Sequence, residues 1–146
     1  MPHASFGFHW IPACAGMTKL DMTPASSHAR VFLMRIRSEI WVKAYLRRCE
    51  VAGVPAVIVR RGDDQAGAIY LSINRLDGMV SLYGPAPAGL ETGSTERRFV
   101  ICLSSDRVAA QEADRYLARE AEFDSGYWVV EIEDRQGRHH LVEAEL

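Results

Sequence analysis

The sequence predicts a single α+β domain in which a mainly antiparallel sheet is packed by two helices. Three observations carry this. The strand-like runs are grouped and do not alternate one by one with helices. Two stretches repeat apolar residues at helical spacing. The 146 residues divide into an unpatterned leading segment and a patterned body from Met34 onward, long enough for one modest core. The predicted order is helix, strand, strand, strand, strand, helix, strand.

Each element has its own warrant. Ser38 is a candidate N-cap, and residues 39–52 read as a helix stopped by Gly53 and Pro55. Trp41, Ala44, Tyr45 and Ala52, with Ile40 beside them, mark the expected apolar face, and Lys43 and Arg47 the polar one, with Arg48 at its flank. Residues 55–61 are rich in Val and Ile and read as a strand. The cluster Gly62-Asp63-Asp64-Gln65-Ala66-Gly67 is a turn, and 68–75 alternates as a second strand. Asp77-Gly78 signals a hairpin into a third strand over 79–83. These three strands are expected to form a meander.

Residues 84–95, with their Gly-Pro-Ala-Pro-Ala-Gly core, are expected to leave the sheet as a loop. A fourth strand follows over 97–103. Ala109, Ala113, Tyr116, Leu117 and Ala121 place a second helix over 109–122, with Ser104, Ser105 and Asp106 as candidate caps. Trp128, Val130 and Ile132 face inward on a last strand over 127–133. The tail 139–146 adds a short strand or frays.

Residues 1–33 hold no sustained period of 2 or 3.6. A signal peptide is rejected, because no basic region precedes the apolar stretch and Gly7, His9 and Pro12 interrupt it. The run WIPACAGMT (10–18) resembles a dispersed bacterial intergenic repeat translated through an upstream start. That resemblance implies a true start at Met34 or Met22. Residues 1–33 are then a poorly ordered extension without function, and 34–146 form the domain.

Composition excludes several classes. Hydrophobic residues make up 48% and charged residues 25%, an ordinary globular balance. Lys+Arg 17 against Asp+Glu 19 gives a net charge of −2, so bulk charge does not mark a polyanion binder. No apolar run reaches the ~18–20 residues of a membrane helix. Cys14, Cys49 and Cys102 form no Cys-x-x-Cys pair, and their expected state is the reduced thiol of a cytoplasmic protein.

The runs SEIWVKAYLRR (38–48), RRGD (60–63), NRLDG (74–78), LYGPAP (82–87) and WVVEIEDR (128–135) resemble a short bacterial family catalogued only as a domain of unknown function. The resemblance covers about 34–140. It implies a single domain and brings no activity, cofactor or catalytic residue.

Charge is unevenly placed. Residues 34–61 carry Arg35, Arg37, Lys43, Arg47, Arg48, Arg60 and Arg61 against only Glu39 and Glu50, whereas 104–146 is strongly acidic. The basic segment could engage an acidic surface, or the two segments could neutralise each other within the fold. Glu131 and Glu133 share one strand face, but no lysine follows them as a metal-dependent nuclease would want. His139 and His140 are adjacent and point apart on a strand, so they make no built metal site. Cys49 lies beside Arg47 and Arg48, yet a helix-interior thiol is the simpler reading. No phosphate-binding glycine motif is present.

The leading functional expectation is therefore a small cytoplasmic interaction module. It would bind an acidic protein surface, in preference to RNA, through Arg47, Arg48, Arg60 and Arg61, with Arg97 and Arg98. No cofactor, metal or membrane is expected. A second expectation is an enzyme or metabolite binder that uses the loop after Tyr83 and the Glu131/Glu133 strand. A third is a homo-oligomer joining basic and acidic segments.

Overall fold

A computed structural model describes residues 36–87 and 97–146. The expected start site and the extension before Met34 lie outside the described residues, as does most of the proline-rich loop.

The chain forms α1 (Ser38–Val51), β1 (Ala56–Arg60), β2 (Ile69–Asn74), β3 (Met79–Pro85), β4 (Phe99–Ile101), β5 (Val108–Ala109), α2 (Ala110–Phe123), β6 (Trp128–Glu133) and a 3-10 turn (Glu143–Glu145). The class is α+β, with two helices and a six-stranded, mostly antiparallel sheet. The strand order is β1-β6-β2-β3-β4, and β5 also pairs with β3.

The expected meander holds only in part. β2 and β3 form the Asp77-Gly78 hairpin, closed by Arg75 N–H on the Met79 carbonyl at 3.0 Å. β1 and β2, however, are separated by β6, which runs antiparallel to β1 and parallel to β2. The connection from β1 must therefore span two strand spacings, roughly 10 Å. The Asp63 loop does this. Its backbone N–H binds the Gly126 carbonyl at 2.8 Å, and its carbonyl accepts the Trp128 indole N–H at 2.8 Å. A Cβ on Gly62 would run into the backbone of Gly126 and Tyr127, so glycine is what lets the loop lie on the start of β6.

Period-2 alternation then builds two cores. On one face Ile69, Leu71 and Ile73 of β2 and Trp128, Val130 and Ile132 of β6 meet Trp41, Val42, Tyr45 and Cys49 of α1. On the other, Tyr70, Val80, Leu82 and Val129 meet Ala113, Tyr116 and Leu117 of α2. β2 is thus buried continuously from Ile69 to Ser72 and on to Ile73, as a central strand covered on both sides must be. Trp41 stacks on Tyr45 one turn later (centroids 5.1 Å, 11°) and leans on Phe99 (4.9 Å). Such contacts add about 0.5–1.5 kcal/mol each beyond area burial.

Some local expectations change. The buried stripe of α1 is Ser38, Trp41, Val42, Tyr45 and Cys49, while Ile40, Ala44 and Ala52 face solvent. Ser38 does not cap the helix. Its hydroxyl donates to the Gly67 carbonyl at 2.7 Å and accepts from Arg97 at 2.7 Å. The strand before the proline-rich loop extends through Gly84 and Pro85, which pair with Val100 and Phe99. A Cβ at Gly84 would sit 2.5 Å from Cys102 Sγ and 2.7 Å from the Tyr70 ring, so this glycine serves close packing. Residues 104–106 do not cap α2, because β5 leads directly into it.

Candidate functional site: a basic helix face beside a sheet edge

α1 turns its polar side outward, as its spacing predicts. Lys43 and Arg47 are 70% and 73% exposed in their side chains. Each touches a carboxylate on its own helix, Lys43 on Glu39 at 2.7 Å and Arg47 on Glu50 at 2.6 Å. Lys43 is the main reason the Glu39 carboxyl lies below its ordinary range. Such exposed pairs hold little energy and exchange partners readily. Beneath these cations runs an open groove floored by Leu46, Val54, Pro55 and Ala56. It leads to β1, whose Val57, Ile58 and Val59 are 57%, 42% and 59% exposed.

The six predicted arginines do not share one patch. Arg47 lies on the α1 rim. Arg48, one residue on, folds away: it binds Glu145 at 2.8 Å and the His140 carbonyl at 3.1 Å. Arg60 lies over the Tyr127 ring (4.3 Å) on the α2 face of the sheet and donates to the Ser125 carbonyl at 3.0 Å. Arg61 is 64% exposed at the end of β1, with Asp64 at 3.2 Å and Glu39 at 3.7 Å. Arg97 holds Ser38 and the Gly67 and Ile36 carbonyls together. Arg98 is half-buried beside β4, its carbonyl bound to the Ala86 N–H. Among the described residues, the Arg48–Glu145 pair alone joins the basic 34–61 segment to the acidic 104–146 segment. The other ion pairs of the basic segment stay within three or four residues, apart from Arg61–Glu39, which joins the end of β1 to the start of α1.

The tail does not fray; it is clasped onto α1. Glu145, 6% exposed, accepts from Trp41 Nε1 at 3.0 Å and from the Val142 N–H at 2.9 Å. The Tyr45 hydroxyl donates to the His139 carbonyl, and burial raises its pKa far above the usual tyrosine value. Asp134 is buried, which pushes its carboxyl up. The Gln136 N–H, His140 and Arg138 outweigh that and hold it below the ordinary range. Burial lowers the His139 pKa, with a further push from His140. The His139 ring meets Tyr83 edge-on at 5.4 Å, and its Nδ1 accepts the Leu141 N–H at 3.1 Å. Sequence reading missed this clasp, because its α1 donors lie 92 to 104 residues from their acceptors.

Of the second expected site only part is described, since residues 88–96 of its loop lie outside the described residues. Register places Tyr83 opposite Leu71, on the α1 side of the sheet. Glu131 and Glu133 alternate with Val130 and Ile132 and so face the α2 side, where Glu131 accepts from Asn74 at 3.3 Å. Cys49 is fully buried and its thiol pKa is raised by burial. Burial also lifts Cys102 to about 11, within a network in which Tyr70 donates to Glu120. Neither thiol is activated as a nucleophile. Among the described residues no group of three His, Cys, Asp or Glu side chains could hold a metal ion, and no helix is long and apolar enough to cross a membrane.

Comparison with known proteins agrees with this fold. The profile described as "Protein of unknown function (DUF1491)" matches residues 36–142. A DUF1491 family protein from Caulobacter crescentus CB15, solved by crystallography, is similar at 38% identity and a TM-score of 0.61, over 75% of this chain and 96% of its own. The solution structure of protein Atu0922 from A. tumefaciens is similar at 43% identity and a TM-score of 0.59, over 69% of this chain and 87% of its own. No curated protein matches. With the profile spanning well over half its length, the chain belongs to the DUF1491 family, whose function is unknown.

Proposed function

We propose that this protein is an interaction module that binds an acidic segment of another protein through Lys43, Arg47 and Arg61. The observation that carries the reading is the exposure of these three cations, Lys43 and Arg47 lining an apolar groove and Arg61 just past the end of the exposed strand β1, with exchangeable surface counter-ions. Of the six arginines expected from sequence, Arg48, Arg60 and Arg97 already serve internal contacts, and Arg98 is half-buried beside β4. Arg47 and Arg61 remain outward, and Lys43 joins them. Protein is favoured over RNA because Trp128, beneath Arg61, and Trp41 and Tyr45 of α1 are buried and offer no face for base stacking.

The test is a low-salt pull-down from the native cell with the full chain, comparing wild type with the Arg47→Glu/Arg61→Glu variant and scoring protein and RNA separately. Captured protein is then purified and titrated. A partner with an acidic segment that is lost on charge reversal and on raising salt supports the reading. Equal capture by wild type and variant defeats it.

A further inference from the structure

We propose that the acidic partner is bound as an added β-strand along the outer edge of β1. This rests on the reading above and specifies how the segment docks.

The first observation is the backbone. β1 ends the sheet order, and among the described residues no strand pairs with its outer side. The Glu133 N–H donates to the Pro55 carbonyl at 2.9 Å, so these two residues form a narrow, hydrogen-bonded pair. Antiparallel pairs alternate, which makes Val57↔Glu131 the next bonded pair and leaves Ala56↔Ile132 and Ile58↔Val130 unbonded. The N–H and C=O groups of Ala56 and Ile58 therefore point away from β6. They form a template for an extended chain.

The second observation is that, among the described residues, only the irregularity after Ile58 blunts this edge. Charged residues, shortness and covering elements normally blunt sheet edges. Here Val57, Ile58 and Val59 are three consecutive exposed apolar residues. The opposite edge is treated differently: β4 has only three residues, and β5 interrupts that side of β3. The irregularity between Ile58 and Arg60 closes the β1 template at its far end and turns Arg60 onto Tyr127.

The third observation fixes the partner's chemistry. Ala56 and Ile58 share the α1 side of the sheet with Val130 and Ile132, and Val57 the other side. An added strand would alternate likewise. Side chains on the α1 side would lie above Leu46 and Val54, under Lys43 and Arg47. Those on the other side would meet Val57. The fitting segment alternates acidic and apolar residues, with Arg61 at its end. A second copy of this chain fits poorly. Antiparallel β1–β1 pairing about a two-fold axis puts both α1 helices on the same face of the joined sheet, with Lys43 and Arg47 facing their equivalents across the seam.

The experiment titrates the full, isotope-labelled chain at low salt with a capped peptide alternating Val and Glu. One control alternates Val and Lys. Another keeps the Val–Glu side chains but carries N-methyl groups along one edge, which removes donors without changing charge. Strand addition predicts that the Val–Glu peptide slows amide exchange at Ala56 and Ile58 about tenfold or more, with no such change at Val57. It also predicts that the Val–Lys peptide does not bind, that N-methylation abolishes the effect, and that Lys43→Glu/Arg47→Glu weakens it. Equal binding of the methylated and unmethylated acidic peptides overturns strand addition and leaves the acidic-partner reading intact. No exchange change at saturating Val–Glu peptide overturns it too. Protection of Ala56 and Ile58 without peptide, in a dimer seen by sedimentation, overturns it in favour of a second copy.

Discussion

The carboxylate of Glu145, one residue from the end of the chain, accepts the indole N–H of Trp41 on α1 at 3.0 Å. The same carboxylate takes the Arg48 guanidinium at 2.8 Å. Trp41 cannot leave the core, so the tail is held by a residue whose own place is fixed. Glu145→Ala leaves a buried indole donor without its acceptor. The expected loss is about 1–3 kcal/mol, read as a lower urea midpoint at unchanged slope. Arg48→Ala costs less, since that side chain is one-third exposed, and the double variant costs less than the sum because both act through one carboxylate.

His139 makes the same clasp sensitive to pH. Its pKa lies below the unfolded value because burial disfavours the cation. Above about pH 6.5 both states are neutral and nothing is lost. Below that, the unfolded chain takes up the proton first, so stability falls as pH drops from about 6.5 toward the folded pKa. Protonation at Nδ1 also removes the acceptor for the Leu141 N–H. His139→Asn keeps an acceptor there and cannot titrate. Its urea midpoint is expected to stay level between pH 7 and 5.5, where the wild-type midpoint declines.

Leu76 sits in the β2–β3 hairpin at φ 62°, a left-handed conformation that costs a β-carbon residue roughly 1–2 kcal/mol. Its side chain is half exposed and contributes little burial. Leu76→Asn is expected to raise stability by about 1 kcal/mol, seen as a higher thermal midpoint.

Gly84 makes the converse prediction. Its added methyl in Gly84→Ala would press on Cys102 Sγ and the Tyr70 ring, both held by the α2 core. The expected cost is about 1–3 kcal/mol, with a change in near-ultraviolet circular dichroism from the displaced tyrosine.

Much of this architecture is legible in the residues. Both helices and every major strand follow from periodicity, and the Asp77-Gly78 hairpin follows from turn chemistry. Lys43 and Arg47 lie on the exposed helix face that their spacing indicates. The buried stripe of α1 is harder to read, because Ser38 and Cys49 complete it and neither scores as an apolar anchor. Ser38 is buried for its two hydrogen-bond partners, both distant in sequence. The place of β6 between β1 and β2 is not legible either, since nothing local distinguishes a wide loop over an inserted strand from a simple turn. The arginines illustrate the same limit. Their positions along the chain are plain, but only tertiary structure sends Arg48 to Glu145 and Arg60 to Tyr127 while leaving Arg47 outward.

The insertion of β6 also sets a timetable for synthesis. Among the described residues β1 has no sheet neighbour other than β6, and β2 has only β3 until β6 arrives. As the chain leaves the ribosome, the β2–β3 hairpin can close early from neighbouring residues. α1 can begin to pack on Ile69, Leu71 and Ile73 once β2 has emerged, but β1 must wait for Trp128 to Glu133 before it reaches its sheet partner. During that interval Val57, Ile58 and Val59 are presented on an unpaired segment. Folding is therefore expected to be slow for so small a domain, governed by long-range strand pairing, and to gain from any factor that shields this segment during translation.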